Sequence, residues 1–168
     1  MAELVSQERL QPSLLDRLID HAPSQQREGD DKKALTKNEL RQAVLRDLTW
    51  LFNATGFSPS LDEKRYSHAA KSVLNFGLPT MSGQFASSVQ RSSMEKMIRQ
   101  AIVDFEPRIL AHTLEVEIVL DGPVLDAHNR VGLVIRGMLW AQPVPLEFLM
   151  RSQIDLEEGR FMLEDVSA

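Results

Sequence analysis

MEKMIRQAIVDFEPRILAHTLEVEIVLD, residues 94–121, is where the chain changes its period. In its first half Met94, Met97, Ile98, Ala101, Ile102 and Phe105 recur every three or four residues, the spacing of one helix face. Ser92 and Glu95 have capping-box spacing and predict the start of that helix. Pro107 ends it, because the residue before a proline is pushed out of the helical region. Glu106 is then the boundary residue, with Arg108 just beyond. From Leu114 the period falls to two. Leu114, Val116, Ile118 and Leu120 alternate with Glu115, Glu117 and Asp121, the pattern of a half-buried strand.

Reading outward towards the C-terminus, DGPVLDAHN (121–129) turns the chain into RVGLVIRGMLWA (130–141), a longer apolar strand. Gly137 within it marks a bulge or a close approach of another segment. QPVPLEFLMRSQIDL (142–156) gives a third strand with Leu146, Phe148 and Met150 on one side, and EEGR turns it into a fourth, RFMLEDV (160–166). Strands joined so closely are antiparallel neighbours, since parallel pairs need long crossovers.

Towards the N-terminus, Thr36 and Glu39 form another capping box ahead of Leu40, Val44, Leu48, Leu51 and Phe52 at helical spacing. That helix ends near NATGFSPS (53–60). A further helix, whole or partial, fits EKRYSHAAKSVLNF (63–76), followed by an apolar loop to residue 88 carrying Leu74, Phe76, Leu78, Met81 and Phe85. Near the start, Ser13 caps a short helix with Asp16 in its first turn and an apolar stripe of Leu14, Leu15, Leu18 and Ile19. So few turns are unstable alone, so the stripe docks on its own domain or on a partner. The polar, aperiodic stretch that follows reads as a flexible tether. The fold expected is α+β, helices followed by a roughly four-stranded antiparallel meander. Its parts are an arm (1–21), a polar linker (22–37) and one α+β domain (38–168).

Composition narrows the chemistry. The 168 residues are 43% hydrophobic and 26% charged, ordinary for a globular protein, and no apolar run reaches the length of a membrane span. The first residues lack a signal-peptide pattern, so a cytoplasmic protein without membrane insertion is expected. With no cysteine, disulfides and thiolate chemistry are excluded, and a net charge of −5 gives no reason to expect nucleic acid. The four histidines, at 21, 68, 112 and 128, have no metal-ligand spacing, and no phosphate-binding glycine loop or nucleophile elbow is present. No metal or cofactor is therefore expected.

Paired carboxylates would suffice for glycoside hydrolysis. Yet Arg108, two residues on, would hold Glu106 ionised, whereas a general acid must keep a proton. The remaining readings of Glu106 and Arg108 are an ion pair that locks the helix–strand corner and a contact for another protein.

Five blocks, in order, resemble one family: SLLDRL (13–18), VLRDLTWLFNA (44–54), SVLNFGLP (72–79), AIVDFEPRI (101–109) and IDLEEGRFML (154–163). Together they are similar to TssE, the small baseplate subunits of bacterial type VI secretion systems, themselves similar to the wedge protein of contractile phage-tail baseplates. The resemblance implies a structural adaptor that joins the baseplate wedge to the contractile sheath and helps to start sheath assembly. Its partners would be other wedge subunits and sheath subunits. The Glu106–Pro107–Arg108 motif would hold neighbouring components, with Leu74, Asn75, Gly77 and Leu78 of the middle block and Leu14, Leu15 and Leu18 of the arm as further contacts. No catalytic residue is implied. Some members carry lysozyme-like labels, which keeps a peptidoglycan-cleaving hydrolase using Glu106 as the competing expectation.

Overall fold

Two amphipathic helices lie against one face of a twisted sheet. The structure, a computed structural model, describes residues 10, 12–19, 23–24, 35–57, 65–79, 88–119, 130–155 and 160–166. Its elements are α1 (Leu14–Leu18), α2 (Lys37–Asn53), α3 (Ser67–Ala70), a 3-10 turn (Val73–Asn75), α4 (Ser88–Phe105) and four strands. The strands are β1 (Glu115–Val119), β2 (Arg130–Leu139), β3 (Leu146–Asp155) and β4 (Arg160–Asp165). They pair antiparallel in the order β1-β2-β3-β4, so the expected α+β meander is the observed one.

Alternation decides which face is covered. Val131, Leu133, Ile135 and Leu139 of β2 and Phe148, Met150 and Ile154 of β3 are buried on the same side. Against them lie Leu40, Val44, Leu48, Leu51 and Phe52 of α2 and Met94, Ile98 and Ile102 of α4. The opposite face carries Glu117 and Arg136, more than half exposed, 3.6 Å apart. Both capping boxes read at Ser13/Asp16 and Thr36/Glu39 are formed.

One local reading is overturned and another is met only in part. Helix α4 begins at Ser88, so Ser92 lies inside it and is no cap. Glu95 instead accepts the Ile118 N–H of β1 at 3.0 Å. An edge-strand donor that would otherwise lack a partner competes better for the carboxylate than a helix end placed elsewhere. The helix expected over 63–76 is reduced to α3 and the 3-10 turn. The turn at 121–129, Leu120, Met81, Phe85 and the histidines at 21 and 128 lie outside the described residues.

Gly77 holds this broken stretch against α2. Leu78 N–H donates to Ala54 O and Gly56 N–H to Leu78 O, at 2.9 and 3.0 Å, a parallel bridge between Thr55 and Leu78. Gly77 has φ +128°, and a Cβ there would sit 2.5 Å from Ala54 O. At Gly137 the nearest atom to an added Cβ is Thr113 Oγ1 at 3.5 Å, ordinary contact, so this strand glycine is neither bulged nor forced. Gly77→Ala is therefore expected to lose about 2–3 kcal/mol or more of unfolding free energy in urea. Gly137→Ala should stay within about 1 kcal/mol of wild type.

Candidate functional site

At the end of α4 the last helical hydrogen bond is made by Glu106 N–H to Ile102 O at 2.8 Å. Pro107 has no N–H and its fixed φ suits the second position of a tight turn. The turn closes with Ile109 N–H donating to Glu106 O at 3.2 Å. It is fastened to the end of β2: Trp140 N–H donates to Arg108 O at 2.7 Å and Leu110 N–H to Met138 O at 2.9 Å.

Inside this turn Glu106 is only 4% exposed. A buried carboxylate needs donors on its oxygens. Arg108 supplies them: its backbone N–H at 3.1 Å and Nε at 2.7 Å to Oε1, and Nη2 at 2.5 Å to Oε2. Nη2 also donates to Asp47 Oδ2 of α2 at 2.5 Å. Asp47 Oδ1 in turn accepts from Arg46 Nε at 2.9 Å, and Arg46 Nη1 donates to Asp16 of α1 at 2.6 Å. One alternating chain of charge thus runs Glu106–Arg108–Asp47–Arg46–Asp16, joining the turn, α2 and the arm. Burial alone would lower the Arg108 pKa, but the bonds to Glu106 and Asp47 outweigh it and hold it above its ordinary value. Arg46 is likewise raised, chiefly by its bond to Asp16.

Beside this chain opens a groove of about 520 Å³ whose walls include Pro12, Trp50, Phe76, Phe105 and Pro107. Phe76 and Phe105 meet edge to face, centroids 5.4 Å apart. Arg108 also lines the groove, and its Nη1 is buried without a hydrogen-bond acceptor among the described residues.

The sequence-selected residues divide sharply. Glu106 is turned inward and Arg108 is one-fifth exposed, while Pro107 is exposed. Gly77 and Leu78 are buried, and Asn75 Nδ2 donates to Ala70 O at 2.9 Å, so much of the middle block holds the fold together. Leu74 at its tip is 71% exposed. On the arm, Leu14, Leu15 and Leu18 are 75%, 40% and 74% exposed. The stripe does not dock on its own domain; Asp16 and the buried Leu10 hold the arm instead. Asp47, Arg46 and Trp50 were not singled out from sequence, and Phe76 and Phe105 were read only as apolar positions of a loop and a helix face. Arg108 lies 61 residues from Asp47 in the chain, and no local spacing announces such a pair.

Arg108→Ala would strand the Glu106 carboxylate in its buried site, and a loss of about 3–5 kcal/mol in urea unfolding is expected. The double change Glu106→Leu with Arg108→Met should cost less than that single change, because no charge is left unpaired. A loss under about 0.5 kcal/mol for Arg108→Ala would mean that the pair is not structural. Asp16 gives a pH test. Burial would raise its carboxyl, but Arg46 and Ser13 hold it below its ordinary value of 3.8. Its contribution is therefore complete above that value and vanishes as pH falls through the lower native one. The Ser13 and Asp16 amide resonances should be constant from neutral pH down to that point and then shift, while Asp16→Asn abolishes the transition.

Among the described residues, no helix is long and apolar enough to cross a membrane. Residues 38–144, well over half of the chain, match the family model of the baseplate wedge protein gp25. The match runs from α2 to the end of β2 and includes Leu74–Leu78 and the Glu106–Arg108 turn; the arm, β3 and β4 lie outside it. Comparisons with curated proteins and with solved structures gave no match. The chain belongs to the gp25 baseplate wedge family and has the structural role of a wedge component of a phage-type baseplate.

Proposed function

We propose that this protein is the small wedge subunit of a type VI secretion baseplate. It works in the cytoplasm as a non-enzymatic adaptor, binding other wedge subunits on one side and sheath subunits on the other, and so helps to start sheath assembly. Residues 38–168 serve as the baseplate domain, and the arm 1–21, carried through 22–37, adds contacts of its own. The observation that carries this reading is the groove at the Glu106–Pro107–Arg108 turn, which lies within the family match. The blocks at 13–18 and 154–163, outside that match, favour the secretion-system branch.

The division of labour within the turn is physical. Glu106 and Arg108 hold the corner rigid, and the partner meets what the corner displays: Pro107 and Trp50. Leu74, and Leu14, Leu15 and Leu18 of the arm, are further apolar contacts. The hydrolase reading is less favoured because both Glu106 oxygens are already taken by donors of Arg108 and the residue is only 4% exposed, which leaves little of it for a substrate to reach.

The test leaves the ion pair intact. Trp50→Ala and Leu74→Asp alter side chains that are 51% and 71% exposed, so both variants should unfold within about 1 kcal/mol of wild type. Tagged wild type should bring down wedge subunits from native lysate, and the folded variants should recover several-fold less. Equal recovery would place the contact elsewhere. A wild-type protein that turns over cell wall, with activity abolished by Glu106→Gln, would replace the adaptor by the hydrolase.

A further inference from the structure

The groove beside the corner is built from parts that are far apart in the chain. Pro12 and Ser13 of the arm form one wall, Asp47 and Trp50 of α2 another, and Phe105 and Pro107 at the end of α4 a third. Core packing sets α2 against α4. The arm is set beside them at two points, Leu10, which is buried in the core, and Asp16, which is bound to Arg46. Arg46 lines no wall of the groove, yet contacts from all three lead back to it.

Its guanidinium is used in three directions. Nη1 donates to Asp16 Oδ1 at 2.6 Å. The other oxygen of Asp16 accepts from Ser13 N–H at 3.2 Å and from Ser13 Oγ at 2.6 Å, so the carboxylate that Arg46 holds itself holds the arm's wall. Nε donates to Asp47 Oδ1 at 2.9 Å, and Asp47 Oδ2 accepts from Arg108 at the corner. The face of the cation lies over the Trp50 ring, Cζ 5.2 Å from its centroid. Arg46 and Trp50 are one turn apart on α2, a spacing that puts both side chains on one helix face, and a cation over an indole is attracted by the ring. Lysine could not replace this arrangement. An ammonium is a point charge, whereas a planar guanidinium offers edge donors to two carboxylates and a face to a ring at once.

We propose that Arg46 is the positioning residue of the wedge contact: it sets the spacing of the arm, α2 and corner walls, so that arm and corner form a single composite surface met by the same wedge subunit. This rests on the reading of the groove as that contact, given above. Arg46 acts through Ser13, Trp50 and Arg108 and does not itself touch the partner. It has the walls in place before the partner arrives, which lowers the ordering cost of association. Residues on different walls are thereby coupled, since a displaced Asp16 leaves Trp50 without the fixed cation that steadies its ring.

The test titrates the purified wedge subunits of the same system against the full chain and reads Kd, with urea unfolding showing that each variant is folded. Arg46→Met should bind at least about tenfold more weakly than wild type. Arg46→Lys, which keeps the charge and loses the fork, should stay within about threefold of Arg46→Met. The decisive readout is coupling. In the wild-type background Asp16→Asn combined with Trp50→Ala should weaken binding by less than the product of the two single effects, and in the Arg46→Met background the two effects should multiply. If Arg46→Met does not fold, the same comparison is made in Arg46→Lys. Folded Arg46 variants that bind as tightly as wild type overturn the positioning role and leave the wedge-contact reading standing. Wild-type affinity in Arg46→Lys alone overturns the role of the fork. Effects of Asp16→Asn and Trp50→Ala that multiply in the wild-type background overturn the composite surface. A wild-type chain that binds no wedge subunit overturns both this inference and the reading it rests on.

Discussion

A carboxylate removed from water must be given its donors by the fold, and here one arginine two residues away gives Glu106 nearly all of them. Proline between the two closes the turn that makes such a short reach possible. Because the Arg108 guanidinium also holds Asp47, the same ion pair fixes the end of α4 against the middle of α2. Through the main chain, the turn is fastened to the end of β2 as well. Helix, helix and sheet thus share one polar junction at the rim of an otherwise apolar core. Pairs of this kind are weak sources of net stability compared with apolar packing, but they are intolerant of losing one member. Their value lies in fixing one geometry.

Under the proposed function, that fixed geometry is how a buried motif can still serve an assembly. The Glu106 side chain faces inward, yet its rigidity keeps Pro107, the flank of Arg108 and the aromatic walls of the groove in register with one another. A binding surface built on rigid elements loses little entropy when occupied. In that proposed role, where wedge subunits must meet with matched angles, such a corner passes orientation from one neighbour to the next.

How much of this was legible beforehand depends on whether the signal was local. Hydrophobic period gave the helices and strands, and the change of period at residues 106–113 gave the order helices first, then sheet. Capping was legible at Ser13 and Thr36 and misleading at Ser92, because Glu95 has a stronger claim on it from β1. The short-range partner of Glu106 could be read. Asp47, Arg46 and Asp16 could not, since side chains distant in sequence meet only after the helices have packed. Nor does sequence separate Leu78, which pairs with Thr55 inside the fold, from Leu74, four residues earlier and exposed. Both are leucines in one apolar block.

The stretch between the arm and α2 looked like a tether that lets a short helix range outward. The backbone on either side of α1 and that stretch says otherwise: Leu35 N–H donates to Leu10 O at 2.9 Å, and the Leu10 side chain is buried in the core. Whatever path the chain takes between them, residues 11–34 leave and return to the same place. Such an excursion is a closed loop, and its closure entropy grows only as about (3/2)RT ln n with its length. Lengthening or shortening the polar stretch should therefore change stability little and leave the position of α1 unaltered. The arm's exposed leucines are held at a fixed address on the surface of the domain, as part of its shape.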